Sequence, residues 1–327
     1  MIIAVDAMGG DRAPGVVVDG AVEAGRSHRL GVILVGPSGP IREALAKHPS
    51  PLPDIRIVEA PDAVAMHEAP LAALRRKPHA SIRVAADLVV RGEADAVFTA
   101  GHSGAAVLAA HGAFGLLPGT ERPALAVTLP TRTGMAVLLD VGATVDCEAK
   151  HLVQFAALGA TYAKNTLELS EPRVGLLSIG EEAGKGNDLI REAHRQLTAV
   201  VPQFIGNVEA RDVFTGGADV IVCDGFTGNV VLKIGEGLVE AIEGMLREEL
   251  GAELVSQVGG LLSRRAFERF RQRVDYAEYG AAPLLGVAGL MLIGHGRSSA
   301  RAVASGIAMA ARLAKADLLP RLGAGWS

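Results

Sequence analysis

The sequence predicts an α/β protein built in three layers, with helices covering both faces of a mostly parallel sheet. Apolar runs of strand length alternate with helical runs through the first half of the chain, which is typical of βαβ units. Residues 219–233 combine a continuously apolar strand, a glycine loop and the start of a helix. The same order recurs at residues 2–11, 95–108 and 174–190, which indicates several strand–loop–helix units in one sheet.

The first half of the chain is expected to alternate strands with helices and to end in a hairpin. Strands are predicted at residues 2–5, 32–35 and 55–58, and helices at residues 16–26, 41–47 and 81–90. Apolar runs at residues 124–129 and 135–139 flank Pro130-Thr-Arg-Thr-Gly134, which predicts a β-hairpin added to the sheet.

The second half is expected to continue this alternation and then to become helical. The predicted order is a helix at 151–164, strand at 174–179, helix at 188–199, strand at 204–208, long helices at 239–250 and 261–274, and a closing helix at 300–315. Gly259 and Gly260 are expected to separate the long helices, and residues 276–286 to form an irregular return. We interpret residues 1–327 as one α/β catalytic unit with a helical hairpin at about residues 239–275.

Composition narrows the class of protein. The chain has 327 residues, of which 49% are hydrophobic and 21% charged, as in soluble globular proteins. The net charge of −4 argues against nucleic-acid binding, and no run approaches the ~20 apolar residues that span a membrane. Cys147 and Cys223 lie beside apolar runs, which favours a reduced, cytoplasmic protein without a secretory leader. The nine histidines show no HxxxH spacing and the cysteines no CxxC pair, so we expect no metal site.

The glycine loops predict a crevice that binds an anion. Open α/β sheets bind ligands outside the carboxyl ends of their strands, where four such loops would surround one crevice. Free backbone N–H groups and the helix dipole at each loop favour negative charge. Asp6 and Asp224 each follow a strand, although either aspartate could serve only to cap a turn.

Two of these loops resemble well-known motifs without matching them. Only three residues separate Gly180 from Gly184, and Gly186 stands where a nucleotide P-loop has Ser or Thr. Lys185 in this loop is either an anion ligand or an exposed loop lysine. In Gly101-His-Ser-Gly104 the following Ala105 replaces the last glycine of a nucleophile elbow, which disfavours a nucleophilic serine.

A dinucleotide site is also disfavoured. The pairs Gly184-x-Gly186, Gly235-x-Gly237 and Gly294-x-Gly296 all lack the third glycine of the dinucleotide fingerprint. We therefore expect no cofactor.

Eight short motifs follow one another along almost the whole chain. They are DAMGGD at residues 6–11 with AP at 13–14, AGHSGA at 100–105, RPAL at 122–125, LDVG at 139–142, SIGEE at 178–182 with KGN at 185–187, GNVE at 206–209, CDGFTGN at 223–229, and EYG at 278–280 with APLLG at 282–286. In this order they resemble the PlsX family of bacterial phosphate acyltransferases. Each motif is weak alone, whereas eight in sequence are highly specific.

The resemblance implies both a fold and a reaction. The fold would be isopropylmalate dehydrogenase-like or phosphotransacetylase-like. The reaction would move a fatty acyl group from acyl carrier protein to inorganic phosphate, giving acyl phosphate for glycerophospholipid synthesis. The enzyme would be a cytoplasmic homodimer, peripherally associated with the membrane. Its product would pass to the membrane glycerol-3-phosphate acyltransferase.

Three positions depart from the family pattern. The usual Gly-Asn-Thr-Gly loop reads Gly101-His-Ser-Gly104, which weakens any role for His102 while Ser103 keeps a hydroxyl. The usual Asp-Val-Gly-Ala-Asn ends in Thr144, and Ala281 replaces the second glycine of Tyr-Gly-Gly-Ala-Pro.

The resemblance and the glycine loops together give a hypothesis for the site. Lys185 would stabilise phosphate or the developing oxyanion, and Asn187 and Asn229 would donate hydrogen bonds to it. Asp6 and Asp224 would orient these donors rather than touch phosphate, because like charges repel. The loops expected to hold phosphate contain Gly101, His102, Ser103 and Gly104, and Gly225, Thr227 and Gly228.

The predicted helical hairpin has an apolar tip followed by arginines. Leu254 and Leu261 belong to the apolar set, and Arg264, Arg265 and Arg269 follow it. This segment would contact the membrane or the carrier protein, or else form the dimer interface. Two other classes of protein remain open, a dehydrogenase of the same fold and a non-catalytic adaptor for acyl carrier protein or the membrane.

Overall fold

The amino-terminal part of the chain alternates strands and helices, as its apolar pattern predicts. The computed structural model describes residues 1–274 and 281–324. The first elements are β1 (Ile2–Asp6), α1 (Gly15–His28), β2 (Gly31–Gly36), α2 (Ser38–Leu45), β3 (Ile55–Glu59), α3 (Pro70–Arg76), α4 (Ser81–Val90), β4 (Ala96–Thr99) and α5 (Ser103–Phe114). The helix predicted at residues 81–90 is confirmed with both its bounds.

The remaining elements complete the sheet and its helical layers. They are β5 (Ala124–Pro130), β6 (Met135–Leu139), α6 (Ala149–Thr166), β7 (Val174–Ser178), α7 (Asp188–Val200), β8 (Phe204–Glu209), a 3-10 turn (Ala210–Phe214), β9 (Val220–Val222), α8 (Gly225–Ala252), α9 (Leu254–Val274), β10 (Ala282–Leu285), β11 (Met291–Ile293), α10 (Ala300–Lys315) and α11 (Leu318–Ala324). The predicted hairpin is confirmed, because β5 and β6 pair antiparallel from Pro130–Met135 to Ala126–Leu139.

The described strands form one sheet whose direction reverses in the middle. The strand order is β3-β2-β1-β4-β11-β10-β5-β6-β9-β7-β8. β1 to β4 and β11 are parallel to one another, and β10 is antiparallel to both of its neighbours. Beyond the β5–β6 hairpin, β6, β9, β7 and β8 are again mutually parallel but run the opposite way.

This reversal corrects one prediction. The carboxyl ends of β1 and β4 lie at one edge of the sheet, whereas those of β7 and β9 lie at the opposite edge. The prediction that all four glycine loops surround a crevice at a single edge is therefore wrong. Apolar periodicity shows that a strand exists, but it does not show in which direction the strand enters a sheet.

Helices cover both faces, which confirms the three-layer α/β/α class. Alternate residues of each strand point to opposite faces, so Ile3 and Val5 pack in one apolar core while Ala4 packs in the other. The first core includes α1, α6 and α10, and the second includes α4, α5 and the start of α8.

The long carboxy-terminal helices differ from their predicted bounds. α8 begins at Gly225 and continues for 28 residues, about 42 Å at the usual rise. The break lies at Glu253, in extended conformation, and not at Gly259 and Gly260, which are within α9. The predicted irregular return contains strand β10, and its residues 276–280 lie outside the described part of the chain. Within residues 1–274 and 281–324, no helix has the length and apolar character needed to cross a bilayer.

Candidate functional site

A cleft of about 560 Å³ opens on the face of the sheet that carries α5 and α8. Its floor is apolar, with Leu125 and Val127 of β5, Ala282 of β10 and Ile293 of β11. Polar groups occupy its walls, and they include Asp11, Gly101, Ser103, Asn229, Lys233, Glu236, His295, Arg297, Ser298 and Ser299. An apolar floor with a few converging polar groups is the usual character of a small-molecule site.

α8 joins the two halves of the sheet across this cleft. Its first residue, Gly225, lies against Asp140 and Thr144, which follow β6. Two turns further along, Lys233 contacts His295 in the loop that follows β11. The helix therefore carries side chains from one edge of the sheet to the loops of the other edge, where Asn229, Lys233 and Glu236 line the cleft.

Asp6 is a buried carboxylate that organises the loops after β1 and β4. It accepts hydrogen bonds from Ser81 Oγ at 2.6 Å, from Thr99 Oγ1 at 2.8 Å and from the Met8 N–H at 3.2 Å. Thr99 Oγ1 accepts in turn from the Gly101 N–H at 3.0 Å. Burial raises the pKa of Asp6 despite these hydrogen bonds. Asp6 thus lies behind the Gly101 loop, in a position to orient it.

The start of α5 contributes two of the predicted loop residues to the cleft. Gly101 and Ser103 line it. His102 is not among the residues that line it; its Nδ1 accepts the Gly104 N–H at 3.1 Å and so caps the helix. The structure therefore gives His102 a local role that the departure from the family pattern had left open.

The side chain of Asp224 caps the start of α8. Asp224 Oδ1 accepts the Thr227 N–H at 2.8 Å, and Asp224 Oδ2 accepts from Thr227 Oγ1 at 2.7 Å. Gly225 and Gly228 are buried against residues 140–144 and do not line the cleft. Of the predicted residues in this stretch, Asn229 alone is among those that line the cleft.

Asp140 lies beneath this helix start and is fully buried. Its carboxylate accepts four backbone N–H groups, from Leu125 at 2.7 Å, Gly142 at 3.1 Å, Ala143 at 3.0 Å and Thr144 at 2.6 Å. Burial outweighs these hydrogen bonds and raises the pKa of Asp140 to about 6.

The two cysteines near Asp140 are free thiols. Burial raises the pKa of Cys147 to about 12 and also raises that of Cys223, so neither thiol is prepared to act as a nucleophile.

Lys185 and Asn187 lie away from the cleft. Both follow β7, whose direction is opposite to that of β1 and β4. Neither residue lines the cleft of a single chain. Asn187 Oδ1 accepts the Ile190 N–H at 3.0 Å and caps α7, while Lys185 is exposed. The loop that contains Lys185 resembles the other glycine loops in sequence, but it opens at the edge opposite the loops that follow β1 and β4.

Sequence reasoning missed the charged end of the cleft. Lys233 Nζ lies 2.9 Å from Glu236 Oε2 and 3.0 Å from His295 Nε2. Lys233 stands one helical turn after Asn229, a spacing that could have identified it. His295 lies between Gly294 and Gly296 directly after a buried strand, which is also a sequence signal.

No group of three or more His, Cys, Asp or Glu side chains arranged to hold a metal ion occurs among residues 1–274 and 281–324.

Comparison of the sequence with known proteins places this chain in a family. The family model described as fatty acid synthesis protein matches residues 1–321. The chain is 48% identical over 322 residues to the phosphate acyltransferase of Geobacter sulfurreducens, which covers 98% of this chain and 93% of that protein. It is 50% identical over 310 residues to the phosphate acyltransferase of Syntrophotalea carbinolica, which covers 95% of this chain and 89% of that protein.

A solved structure shows the same fold at lower identity. The crystal structure of a phosphotransacetylase from Streptococcus pyogenes matches with a TM-score of 0.66 at 20% identity, covering 96% of this chain and 94% of that one. This likeness confirms the phosphotransacetylase-like architecture.

Proposed function

The chain belongs to the fatty acid synthesis protein family of phosphate acyltransferases, and from this we propose that it transfers a fatty acyl group from acyl carrier protein to inorganic phosphate. The products would be acyl phosphate and the free carrier thiol. The observation that carries this proposal is the composition of the cleft, where an apolar floor of β5, β10 and β11 residues adjoins polar walls that include Asn229, Lys233 and His295. Such a cleft suits a substrate that is apolar along its chain and reacts with an anion.

The reaction depends on positioning phosphate and the thioester, and it does not need a nucleophile from the protein. A phosphate oxygen is itself a nucleophile at neutral pH, so neither Ser103 nor a cysteine has to form a covalent intermediate. Holding phosphate against the thioester carbonyl makes the attack effectively unimolecular, which can supply about 7–11 kcal/mol of the barrier. We assign phosphate binding to the Gly101–Ser103 side of the cleft and to Asn229, with Asp6 orienting the Gly101 loop from behind.

Trapping the product tests the proposal directly. Folded protein is incubated with acyl-acyl carrier protein and phosphate in the presence of EDTA, and acyl phosphate is captured with hydroxylamine as the hydroxamate. We expect phosphate-dependent hydroxamate, since the mechanism uses no metal. Absence of hydroxamate while the chain still binds acyl carrier protein would favour the adaptor reading over the enzyme.

Two lysines can be compared in the same assay. The sequence predicts that Lys185→Ala lowers kcat by roughly a hundredfold, the usual scale for loss of an oxyanion or phosphate donor. Lys233, unlike Lys185, lines the cleft, so we expect a loss of that size from Lys233→Ala instead. Measuring kcat for both variants, with thermal melting to verify folding, separates the two lysines.

Near-wild-type turnover of Lys185→Ala, with a large loss for Lys233→Ala, would remove Lys185 from the site. A large loss for Lys185→Ala alone would mean that its loop reaches the substrate through a contact that a single chain does not contain.

We further propose that the α8–α9 hairpin contacts the membrane surface, where the lipid-like product is handed on. Val258, Leu261 and Leu262 of α9 are 59%, 70% and 82% exposed. Arg264, Arg265 and Arg269 beyond them are exposed as well, and Arg264 pairs with Glu268 at 2.9 Å. Apolar side chains beside exposed arginines suit an anionic bilayer surface, toward which each arginine contributes about 1 kcal/mol. Leu254 begins α9, but its side chain lies outside the described part of the structure.

Replacing Val258 and Leu261 together with glutamate is expected to abolish co-sedimentation with anionic vesicles. A fully buried Val or Leu side chain contributes about 1.5–3 kcal/mol, so losing two of them weakens binding by roughly a hundredfold or more. Turnover of soluble substrate should be retained. Val200→Glu, at an exposed apolar position of α7, is the matched control and should still co-sediment.

The same variant also tests the alternative role of this segment. We propose that the enzyme is a homodimer, and these side chains could form its interface. If the double variant becomes monomeric and aggregates, Val258 and Leu261 belong to the interface and the membrane contact lies elsewhere.

A further inference from the structure

Three side chains that no sequence motif indicated meet at one end of the cleft. Lys233 and Glu236 come from α8, and His295 comes from the loop between β11 and α10. Lys233 Nζ lies 2.9 Å from Glu236 Oε2 and 3.0 Å from His295 Nε2. Glu236 Oε2 lies 3.9 Å from His295 Nε2. All three residues line the cleft.

Two donors meet the two ring nitrogens of His295. The Arg297 N–H points at Nδ1 over 3.1 Å, and the Lys233 ammonium lies 3.0 Å from Nε2. A neutral imidazole has one acceptor nitrogen and one N–H, so it can accept from only one of these donors. In the tautomer that accepts from the Arg297 N–H, the proton is on Nε2, on the side of the cleft.

The surroundings of the ring favour this neutral form. The charged groups that face it are Lys233 and Glu236 from α8, Arg297 from its own loop and Asp11 from the loop after β1. Burial, followed by the charge of Lys233, lowers the pKa of His295, and the two carboxylates only partly oppose this. A neutral imidazole is thus the form that prevails near pH 7.

In this tautomer the contact between Lys233 and His295 joins two donors without an acceptor. An ammonium group has three N–H donors and no lone pair, and His295 Nε2 also presents an N–H. Glu236 holds Lys233 in place, but its Oε2 is 3.9 Å from Nε2, too far to give that N–H a short hydrogen bond. An oxygen atom that gains negative charge would satisfy both donors at once.

We propose that His295 Nε2–H and Lys233 Nζ form the oxyanion hole for the thioester carbonyl, with Glu236 positioning the lysine. This inference rests on the proposed acyl transfer. A phosphate oxygen donates an electron pair to the carbonyl carbon, and the C=O π pair moves onto the carbonyl oxygen, which accepts hydrogen bonds from the two donors. The pair then returns, the C–S bond breaks and its electrons leave with sulfur. The proton of hydrogen phosphate ends on the thiolate, so the products are acyl phosphate and free thiol.

Two amide variants of His295 distinguish this role from a structural one. The amide of asparagine reaches the position of Nδ1, so His295→Asn keeps an acceptor for the Arg297 N–H but presents no donor at the position of Nε2. The amide of glutamine reaches the position of Nε2, so His295→Gln keeps that donor. Both variants are polar and similar in size, so each controls for any loss of folding caused by removing the imidazole ring in the other.

We expect His295→Asn to lower kcat by about a hundredfold, the scale for losing one oxyanion donor. The KM values for phosphate and for acyl-acyl carrier protein should stay within about threefold, because the interaction forms only in the transition state. His295→Gln should recover kcat to within about tenfold of wild type. His111→Gln, at the far end of α5 and exposed, is the control that should not alter kcat.

Equal kcat losses in both amide variants would overturn the inference, and so would a loss that appears as a higher KM for phosphate. The wild-type assay separates this failure from a failure of the proposed function. Wild type without acyl phosphate overturns the acyl transfer itself, whereas active wild type with equal losses overturns only the oxyanion hole.

Discussion

Replacing Gly228 with alanine is expected to destabilise the protein by about 3 kcal/mol or more, beyond the usual range for overpacking. A Cβ atom at this position would lie 1.9 Å from the Asp140 carbonyl oxygen and 2.8 Å from Cys223 Sγ. The carbonyl is backbone, and the Asp140 N–H is itself bonded to the Cys223 carbonyl at 3.1 Å. Neither partner can move without displacing β6 or β9, so the start of α8 must be pushed away from the sheet.

Equilibrium unfolding in urea measures this effect, with Gly237→Ala as the matched control. Gly237 lies in the same helix, and no atom outside the helix would come within 4 Å of its Cβ. Alanine there should be neutral or stabilise α8 by up to about 1 kcal/mol, because alanine has the higher helix propensity. Equal unfolding midpoints for the two variants would show that α8 does not depend on its close approach to Asp140.

Asp140→Ala is expected to cost about 4 kcal/mol or more of folding free energy. Hydrogen bonds to a charged group contribute about 1.5–3 kcal/mol each, and this change leaves four backbone N–H donors without their acceptor. Asp140→Asn is the closest replacement, since its oxygen can still accept three of them. Its amide nitrogen, however, would face the Thr144 N–H. We therefore expect the order wild type, Asn, Ala in urea unfolding, and a stable alanine variant would contradict it.

The same carboxyl predicts a dependence of stability on pH. Because burial raises the pKa of Asp140 to about 6 from its ordinary value of 3.8, the folded state binds this proton more tightly than the unfolded chain does. Its contribution to stability is complete below the unfolded value and is lost as pH rises through about 6. The stability of wild type relative to Asp140→Asn should therefore decrease between pH 4 and pH 6, and a difference that is constant over this window would contradict the raised pKa.

Local elements could be predicted from the sequence, whereas the way they meet could not. Ser81–Val90 and the β5–β6 hairpin follow from apolar spacing and turn residues, which act over short distances along the chain. That the second half of the sheet runs the opposite way depends on the parallel pairing of β6 with β9, which lies far along the chain. Lys185 was selected because its glycine loop precedes a helix, but strand β7 runs toward the other edge of the sheet.

Only some residues of the cleft could be predicted, because the others come together through contacts between distant parts of the chain. Gly101, Ser103 and Asn229, which the loop motifs singled out, are among the residues that line the cleft. His295 was overlooked because Gly294-x-Gly296 was judged only as an incomplete dinucleotide fingerprint. Lys233 was overlooked because its importance depends on where α8 travels after leaving β9, which no local pattern reveals.

α8 is anchored at one edge of the sheet by Gly228 and presents Lys233 at the other. The number of residues between these two positions is therefore fixed by the rotation of the helix. Each residue of an α-helix turns the next by about 100°, so one residue inserted between Gly228 and Lys233 would rotate the lysine away from His295. Beyond Glu236 the helix no longer lines the cleft, and its length there is free of this constraint. Insertions and deletions among relatives should therefore be absent between Gly228 and Glu236 and be tolerated in the outer part of the α8–α9 hairpin.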